Sequence, residues 1–455
     1  MPHGSWIEAP PRGKEQASSS WISRTNTERT DVASNQGTWT TAEEEEAIGS
    51  SNSAWLWIFP LVIALPTELS FQIGVLRLTP YRVALLACFF PSAYRTLLSP
   101  HIQRRLPDLL TTLFGLWAVL ALATRNRPLE VLESGGILLA ESLGAYLLAR
   151  STVRSVGDLR KFLRAMTVLM LVLLAAGLPE TLSGRHLTHD FFGLLGNRTP
   201  TDVEGRFGMA RAYVSFDHPI LFGTFAGMWL ALLWDARRND GFVRRAMRGA
   251  LVMGTTACSL SSACLMAIFL QAALIAYRQV TRWLPGRWLL LISAMGAGYG
   301  LISAASSRSG LKVLLWYLTF DRDTASYRIN IWEHALDDVA RAPFFGVGVE
   351  NWERPSWMTP SIDSFWLVLS MNYGLVAVGA LALAVLIQIS RVAFAPKGDA
   401  DLLSLRLSWC FSMIALCMVG FTVHFWNNVF CAFFFILGCG GALSKTRTRL
   451  RFELP

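Results

Sequence analysis

Ten positively charged side chains fall in two long polar segments of an otherwise apolar chain. Arg185, Arg198, Arg206 and Arg211 lie within about 180–216, and Arg308, Lys312, Arg322, Arg328, Arg341 and Arg354 within about 307–363. A guanidinium is planar, permanently charged and matched to phosphate oxygens two at a time, so a pair of fixed arginines can clamp a pyrophosphate. Arg206, Arg211 and Arg328 are the candidates for that task. The bland alternative is solvation, or pairing with Asp217, Glu333 or Asp337. The second segment also holds a Gly346-x-Gly348 turn and an Asp363 placed just before hydrophobicity resumes. An aspartate is ordinarily ionised at neutral pH and can take a proton from a hydroxyl, or it can N-cap a helix starting at 364. His218, before Pro219, can orient a bound hydroxyl or complete a cap. His186 and His189, followed by Asp190, have the spacing of metal ligands but are a weak signal. Gly346 and Gly348 can offer backbone N–H groups to a phosphate or simply make a turn.

The elements that must position these residues are membrane spans. The 455 residues are 53% hydrophobic and 16% charged, with mean hydropathy +0.38, whereas a soluble domain carries roughly 25% charged residues. Apolar runs recur at about 54–75, 80–98, 107–123, 129–150, 162–179, 217–235, 249–277, 287–306, 364–390, 401–422 and 425–443. Such lengths suit a hydrocarbon core of ~30 Å. The run 249–277 is long for one span and holds Ser259, Ser261 and Ser262 at its centre, which predicts a hairpin of two short helices. The expected fold is therefore an all-α polytopic bundle of about twelve transmembrane helices. With that layout, 21 Lys and Arg fall in cytoplasmic loops and at most four in short external ones, which puts both termini in the cytoplasm. The net charge of +9 follows from topology, and no nucleic-acid partner is needed. All seven cysteines lie in predicted spans and no CxxC occurs, so neither a zinc site nor a disulfide framework is indicated.

Residues 1–50 are polar, with a run from Glu43 to Glu46, and read as a disordered cytoplasmic tail. The first span then serves as an uncleaved signal. N-terminal helices occupy 51–179, a central region runs over 180–390, and C-terminal helices with a basic tail fill 391–455. In 326–341, the apolar stripe Ile329, Trp332, Leu336 and Val339 predicts a helix lying on the bundle. Ser326 or Thr324 would cap it, Pro343 would end it, and Arg328 would sit in its first turn. Glu68, Glu133, Glu141 and Arg406 lie inside predicted spans, where ionisable groups are costly. Pairing of Glu133 or Glu141 with Arg406 would make them structural.

The stretches RAYVSFDHPILFG (211–223), SYRINIWEHAL (326–336), PFFGVG (343–348) and the run from Asp363 to Gly374 resemble the O-antigen ligase and polymerase family. The resemblance covers about 200–390 together with the overall topology. It implies transfer of a glycan from an undecaprenyl-pyrophosphate carrier at the periplasmic face of a bacterial inner membrane. The acceptor would be lipid A core or a growing glycan, and other polysaccharide export proteins would be partners. Arg206 or Arg211, with Arg328, would hold the pyrophosphate, and the inverting reaction would need neither a metal nor a nucleotide cofactor. Many family members carry His at the end of the second loop, where this chain has Asp363-Ser364-Phe365, so Asp363 would take the His role. Trp352, Trp357, Phe365 and Trp366 would stack on sugars or mark the membrane interface.

Two rival readings remain at this level. A secondary transporter or lipid-linked-glycan flippase would use the intramembrane carboxylates as substrate or proton sites, but the matching broken helices in two halves that would favour it are not evident. A catalytically silent scaffold of an export complex is suggested by the missing His. Polymerase and ligase are not separated by the sequence.

Overall fold

Helices make up nearly all of the secondary structure, as an apolar chain requires when its backbone must satisfy itself without water. The computed structural model describes residues 54–74, 76–98, 102–196, 205–237, 239–305, 322–359, 361–396 and 398–444. The N-terminal tail, the basic tail after 444, and Arg198, Arg308 and Lys312 lie outside these residues. In chain order the first elements are α1 (Trp55–Ile63), β1 (Phe71–Ile73), β2 (Leu76–Leu78), α2 (Pro80–Leu98), α3 (Leu106–Ala123), α4 (Pro128–Thr152) and α5 (Val156–Ser183). Next come α6 (Leu187–Phe192), β3 (Gly205–Arg206), β4 (Met209–Ala210), α7 (Pro219–Gly227), α8 (Leu230–Trp234), α9 (Phe242–Ala257) and α10 (Ser262–Val280). The last are α11 (Arg287–Ala305), α12 (Arg322–Arg341), α13 (Phe365–Ala393), α14 (Ala400–Val419) and α15 (Asn427–Leu443). The four strands form two small antiparallel hairpins, with Phe71 opposite Leu78 and Gly205 opposite Ala210.

Among the described residues, six helices, α3, α4, α5, α10, α13 and α14, are long and apolar enough to cross a membrane. The chain is thus a mostly helical, multi-pass membrane protein. α15 runs through the middle and is buried from Asn428 to Leu443, its Phe433, Phe434 and Phe435 packed among neighbouring helices. Leu61, Leu116, Leu171 and Leu182 stay exposed, as suits surfaces facing lipid.

Several spans differ from a simple hydropathy reading. The run 54–75 is not one helix: α1 stops at Ile63, and the chain then makes a short turn at Thr67–Leu69 and the β1–β2 hairpin. Pro66, which removes a helix donor, and Gly74 at φ 61° force that change. The stretch 217–235 breaks between α7 and α8. The run 249–277 does split as the serines suggest, with Cys258–Ser261 turning the chain from α9 into α10. α4 contains a π turn at Ala140–Gly144, and that widened turn presents Glu141 to its partners.

Those partners are not Arg406. Glu141 Oε1 accepts from Arg82 Nε at 2.7 Å and from Tyr81 at 3.0 Å. Arg406 instead donates to the carbonyls of Leu443 and Pro396. A buried charge persists only when paired or richly hydrogen-bonded, and each of these groups has found a nearer solution. α10 separates two polar layers: Ser262 at one end and Arg278 at the other are about 24 Å apart at ~1.5 Å per residue. At the Arg278 end, Asp235 accepts from Arg278 (2.8 Å), Arg245 (2.7 Å) and Ser408 (2.6 Å).

Within α13, Gly374 leaves the helix at φ 78°. The PFFGVG loop fills the break: Leu375 N donates to Pro343 O (2.7 Å) and Gly348 N to Met371 O (2.9 Å). Arg125 completes the seam by donating to the carbonyls of Phe345, Gly346 and Asn372. A Cβ at Gly374 would collide with the Phe344 carbonyl, and one at Gly346 with the Met371 carbonyl. These glycines hold two backbones together, so their amides are spent on structure and do not cradle a phosphate.

Candidate functional site

The site is built around the turn Cys258–Ser261, where Leu260 is held at φ 47°, a left-handed conformation that costs a leucine about 1–2 kcal/mol. The strained turn points two carbonyls at two arginines. Arg211 Nε donates to Ser259 O and Arg206 donates through a terminal nitrogen to Leu260 O, each at 3.1 Å. Gly223 lets α7 approach this turn, since a Cβ there would meet the Ser259 side chain.

The segment bearing these arginines is anchored by buried carboxylates. Arg206 ends β3, and Phe207 and Gly208 turn the chain into β4 with positive φ. After Arg211, Ala212 N donates to Cys258 O at 2.9 Å. Glu180, 1% exposed, accepts the N–H groups of Thr188, Tyr213 and Val214 at 2.9–3.2 Å. His189 lies between two acceptors, with Nδ1 2.6 Å from Glu68 Oε1 and Nε2 3.0 Å from Phe216 O. Both ring nitrogens face oxygens that can only accept, so the ring satisfies them as an imidazolium. Burial opposes that charge, but the Glu68 hydrogen bond and charge overcome it and raise the His189 pKa above its ordinary value. The His186 ring lies 4.2 Å from that of Tyr213, tilted by 42°, and has Glu180 3.9 Å away. His186 and His189 therefore belong to this carboxylate anchor, and Asp190 pairs loosely with Arg185. Asp217 accepts from Thr67 and Asn427 at 2.6 Å each and serves no arginine of the site. His218 is an N-cap: its Nδ1 accepts from Ile220 N at 3.1 Å at the start of α7.

Arg328 comes from the opposite segment. It is 7% exposed, and its Nε has no hydrogen-bond partner among the described residues. Among the described residues the nearest counter-charge is Asp363, whose Oδ2 lies 3.9 Å from Nε, too far for a hydrogen bond. Burial pushes the Arg328 pKa below its ordinary value; Asp363 works against that shift and the nearby Arg206 adds to it. The burial follows from how α12 docks. The helix starts at Arg322, so Thr324 and Ser326 lie inside it rather than ahead of it, and Arg328 falls in its second turn. Its buried face is Arg328, Ile331, Ala335 and Val339, while Leu336 of the expected stripe is 50% exposed. The register is rotated because the arginine itself joins the inner face. The helix ends at Arg341, ahead of Pro343, as the proline predicts.

Asp363 is not a cap. Ser364 holds that position for α13, its hydroxyl accepting from Leu367 N at 3.3 Å. The Asp363 side chain stays 42% exposed, with one oxygen 3.3 Å from the Ser361 hydroxyl. The Phe365 amide donates to Gly420 O (2.8 Å) and Val423 O (3.0 Å), which ties the start of α13 to the loop before α15. That loop carries His424, a residue the sequence reading passed over. Burial lowers its pKa to about 4, so the imidazole is neutral at physiological pH. Its signal was present in HFWNN, a polar insert between two apolar runs.

The aromatics do not form one sugar platform. Trp352 is 3% exposed, Phe365 is buried against Phe425, and Trp366 donates to Cys417 O. Trp357 is exposed, with Tyr327 as its ring neighbour at 6.5 Å. Comparison of the chain with protein-family models and with curated proteins gives no match.

Proposed function

We propose that the protein transfers a glycan from an undecaprenyl-pyrophosphate carrier to a saccharide hydroxyl at the periplasmic face of a bacterial inner membrane. The acceptor is lipid A core or a growing glycan. The observation that carries this reading is Arg328: a buried guanidinium with Arg206 nearby, whose Nε is left without a hydrogen-bond partner among the described residues. A buried donor of that kind costs about 1–3 kcal/mol if it stays unmade, and a diphosphate supplies the matching acceptors.

In this mechanism the acceptor hydroxyl oxygen attacks the anomeric carbon from the face opposite the carrier, inverting the centre. The new glycosidic C–O bond forms as the bond to the diphosphate oxygen breaks, and the diphosphate leaves with the electron pair. The hydroxyl proton passes to the carboxylate of Asp363. Arg328, Arg206 and Arg211 stabilise the charge that develops on the leaving group, and fixed donors of this kind contribute roughly 10²–10³ each in rate. His218, whose Nδ1 caps α7, shapes the segment that carries the arginines. The test is glycan transfer by purified protein from a defined undecaprenyl-pyrophosphate oligosaccharide, with Arg328→Ala and Asp363→Asn compared with wild type.

A further inference from the structure

The first turn of α10 is the other unsatisfied feature at this place. Its N-cap, Ser261, makes no side-chain capping bond. Leu265 N reaches Ser261 O at 3.0 Å, but the amides of Ser262, Ala263 and Cys264 find no acceptor among the described residues. All three residues are buried, at 8%, 7% and 0% exposure. Buried N–H groups at a helix start are normally met by a cap, water or a ligand. The carbonyls just before them are already taken by Arg206 and Arg211. Arg328, nine-tenths buried and with Nε unpartnered among the described residues, lies within electrostatic reach of Cys264 on that same turn. The helix dipole and the unmet amides favour an anion at this turn, and a buried guanidinium within reach favours one as well.

We infer that the N-terminal turn of α10 seats one phosphoryl group of a diphosphate, with the Ser262, Ala263 and Cys264 amides as donors and Arg328 over the same group. This inference rests on the diphosphate reading above and assigns part of the ligand to backbone rather than to side chains.

Proline isolates the backbone donor. At the first helical position it fits without breaking the helix and removes one N–H. Ser261 ahead of it is already extended, at φ −97° and ψ 122°, as a residue before proline must be. Farnesyl diphosphate and inorganic pyrophosphate are titrated into the full chain in detergent. Ser262→Pro should weaken farnesyl diphosphate binding at least fivefold, while Ser262→Ala, which keeps the amide, stays within twofold of wild type. Amide exchange over 259–266 in wild type should slow when farnesyl diphosphate is added, a readout that survives even if the proline variant misfolds. If Ser262→Pro binds like Ser262→Ala, or exchange over 259–266 is unchanged while Arg328→Ala abolishes binding, the helix seat is wrong and the arginine site stands. If wild type binds no diphosphate, both fall. Pyrophosphate binding as tightly as farnesyl diphosphate would overturn the lipid carrier as its source.

Discussion

Arg328 Nε and Asp363 Oδ2 stand 3.9 Å apart, a buried guanidinium facing a carboxylate that is still 42% exposed. The gap matters more than the pairing. A closed ion pair would satisfy both groups, as Arg82 and Glu141 do at 2.7 Å, whereas here each keeps hydrogen-bonding capacity for a third party.

Because Ser364 and not Asp363 caps α13, stability and activity should separate at these adjacent positions. Ser364→Ala loses the cap to Leu367 and should lower stability by about 1 kcal/mol. Asp363→Asn should leave the melting temperature within a degree or two yet lower transfer by at least tenfold. Thermal unfolding in detergent, beside the transfer assay, checks both.

Arg211 and Arg206 hold neighbouring carbonyls but differ in burial, Arg211 being 8% exposed and Arg206 partly buried. Arg211→Ala leaves Ser259 O without that donor in a buried setting and should cost about 1–3 kcal/mol as well as diphosphate affinity. Arg206→Ala should weaken diphosphate binding with a smaller loss of stability. Melting curves and diphosphate titration of the two variants check the contrast.

Gly374→Ala meets two obstacles, a φ of +78° and the Phe344 carbonyl. It should destabilise the protein by more than about 2 kcal/mol, since strain and overpacking add. Gly379→Ala, in the same helix with open space around it, should be neutral or slightly stabilising. Yield and melting temperature of the two variants report the difference.

The Glu68–His189 contact makes a pH-dependent contribution. The folded His189 pKa is raised, so this stabilisation is fully present below the unfolded value of ~6.5 and is lost as pH rises through the folded value. The melting temperature of wild type should exceed that of His189→Gln at pH 6, and the gap should narrow by pH 9. A gap that widens with pH would contradict the imidazolium assignment.

What the sequence revealed, and what it hid, follows the range of the interactions. Local signals survived: the serines at 259–262 do mark a break, and Pro343 does follow the end of α12. The apolar stripe of α12 misled because Arg328 shares the buried face, and periodicity treats an arginine as outward-facing. Asp363 resembles a cap only for a helix beginning at 364, and α13 begins one residue later, at Phe365. The Gly346–Gly374 seam depends on two backbones meeting across more than twenty residues, which composition does not encode. Arg82 was closer in space to Glu141 than Arg406, and Glu68 found His189 121 positions away; neither pairing leaves a local trace.

The most direct test of the central claim is transfer from a defined undecaprenyl-pyrophosphate oligosaccharide by wild type, Arg328→Ala and Asp363→Asn, each first shown to be folded by its melting temperature. The account predicts product with wild type and a loss of at least 10²-fold with Arg328→Ala, the scale of one lost transition-state donor, alongside the drop with Asp363→Asn. Folded wild type that yields no product with either lipid A core or free repeat unit, or an Arg328→Ala protein that transfers at the wild-type rate, would contradict it.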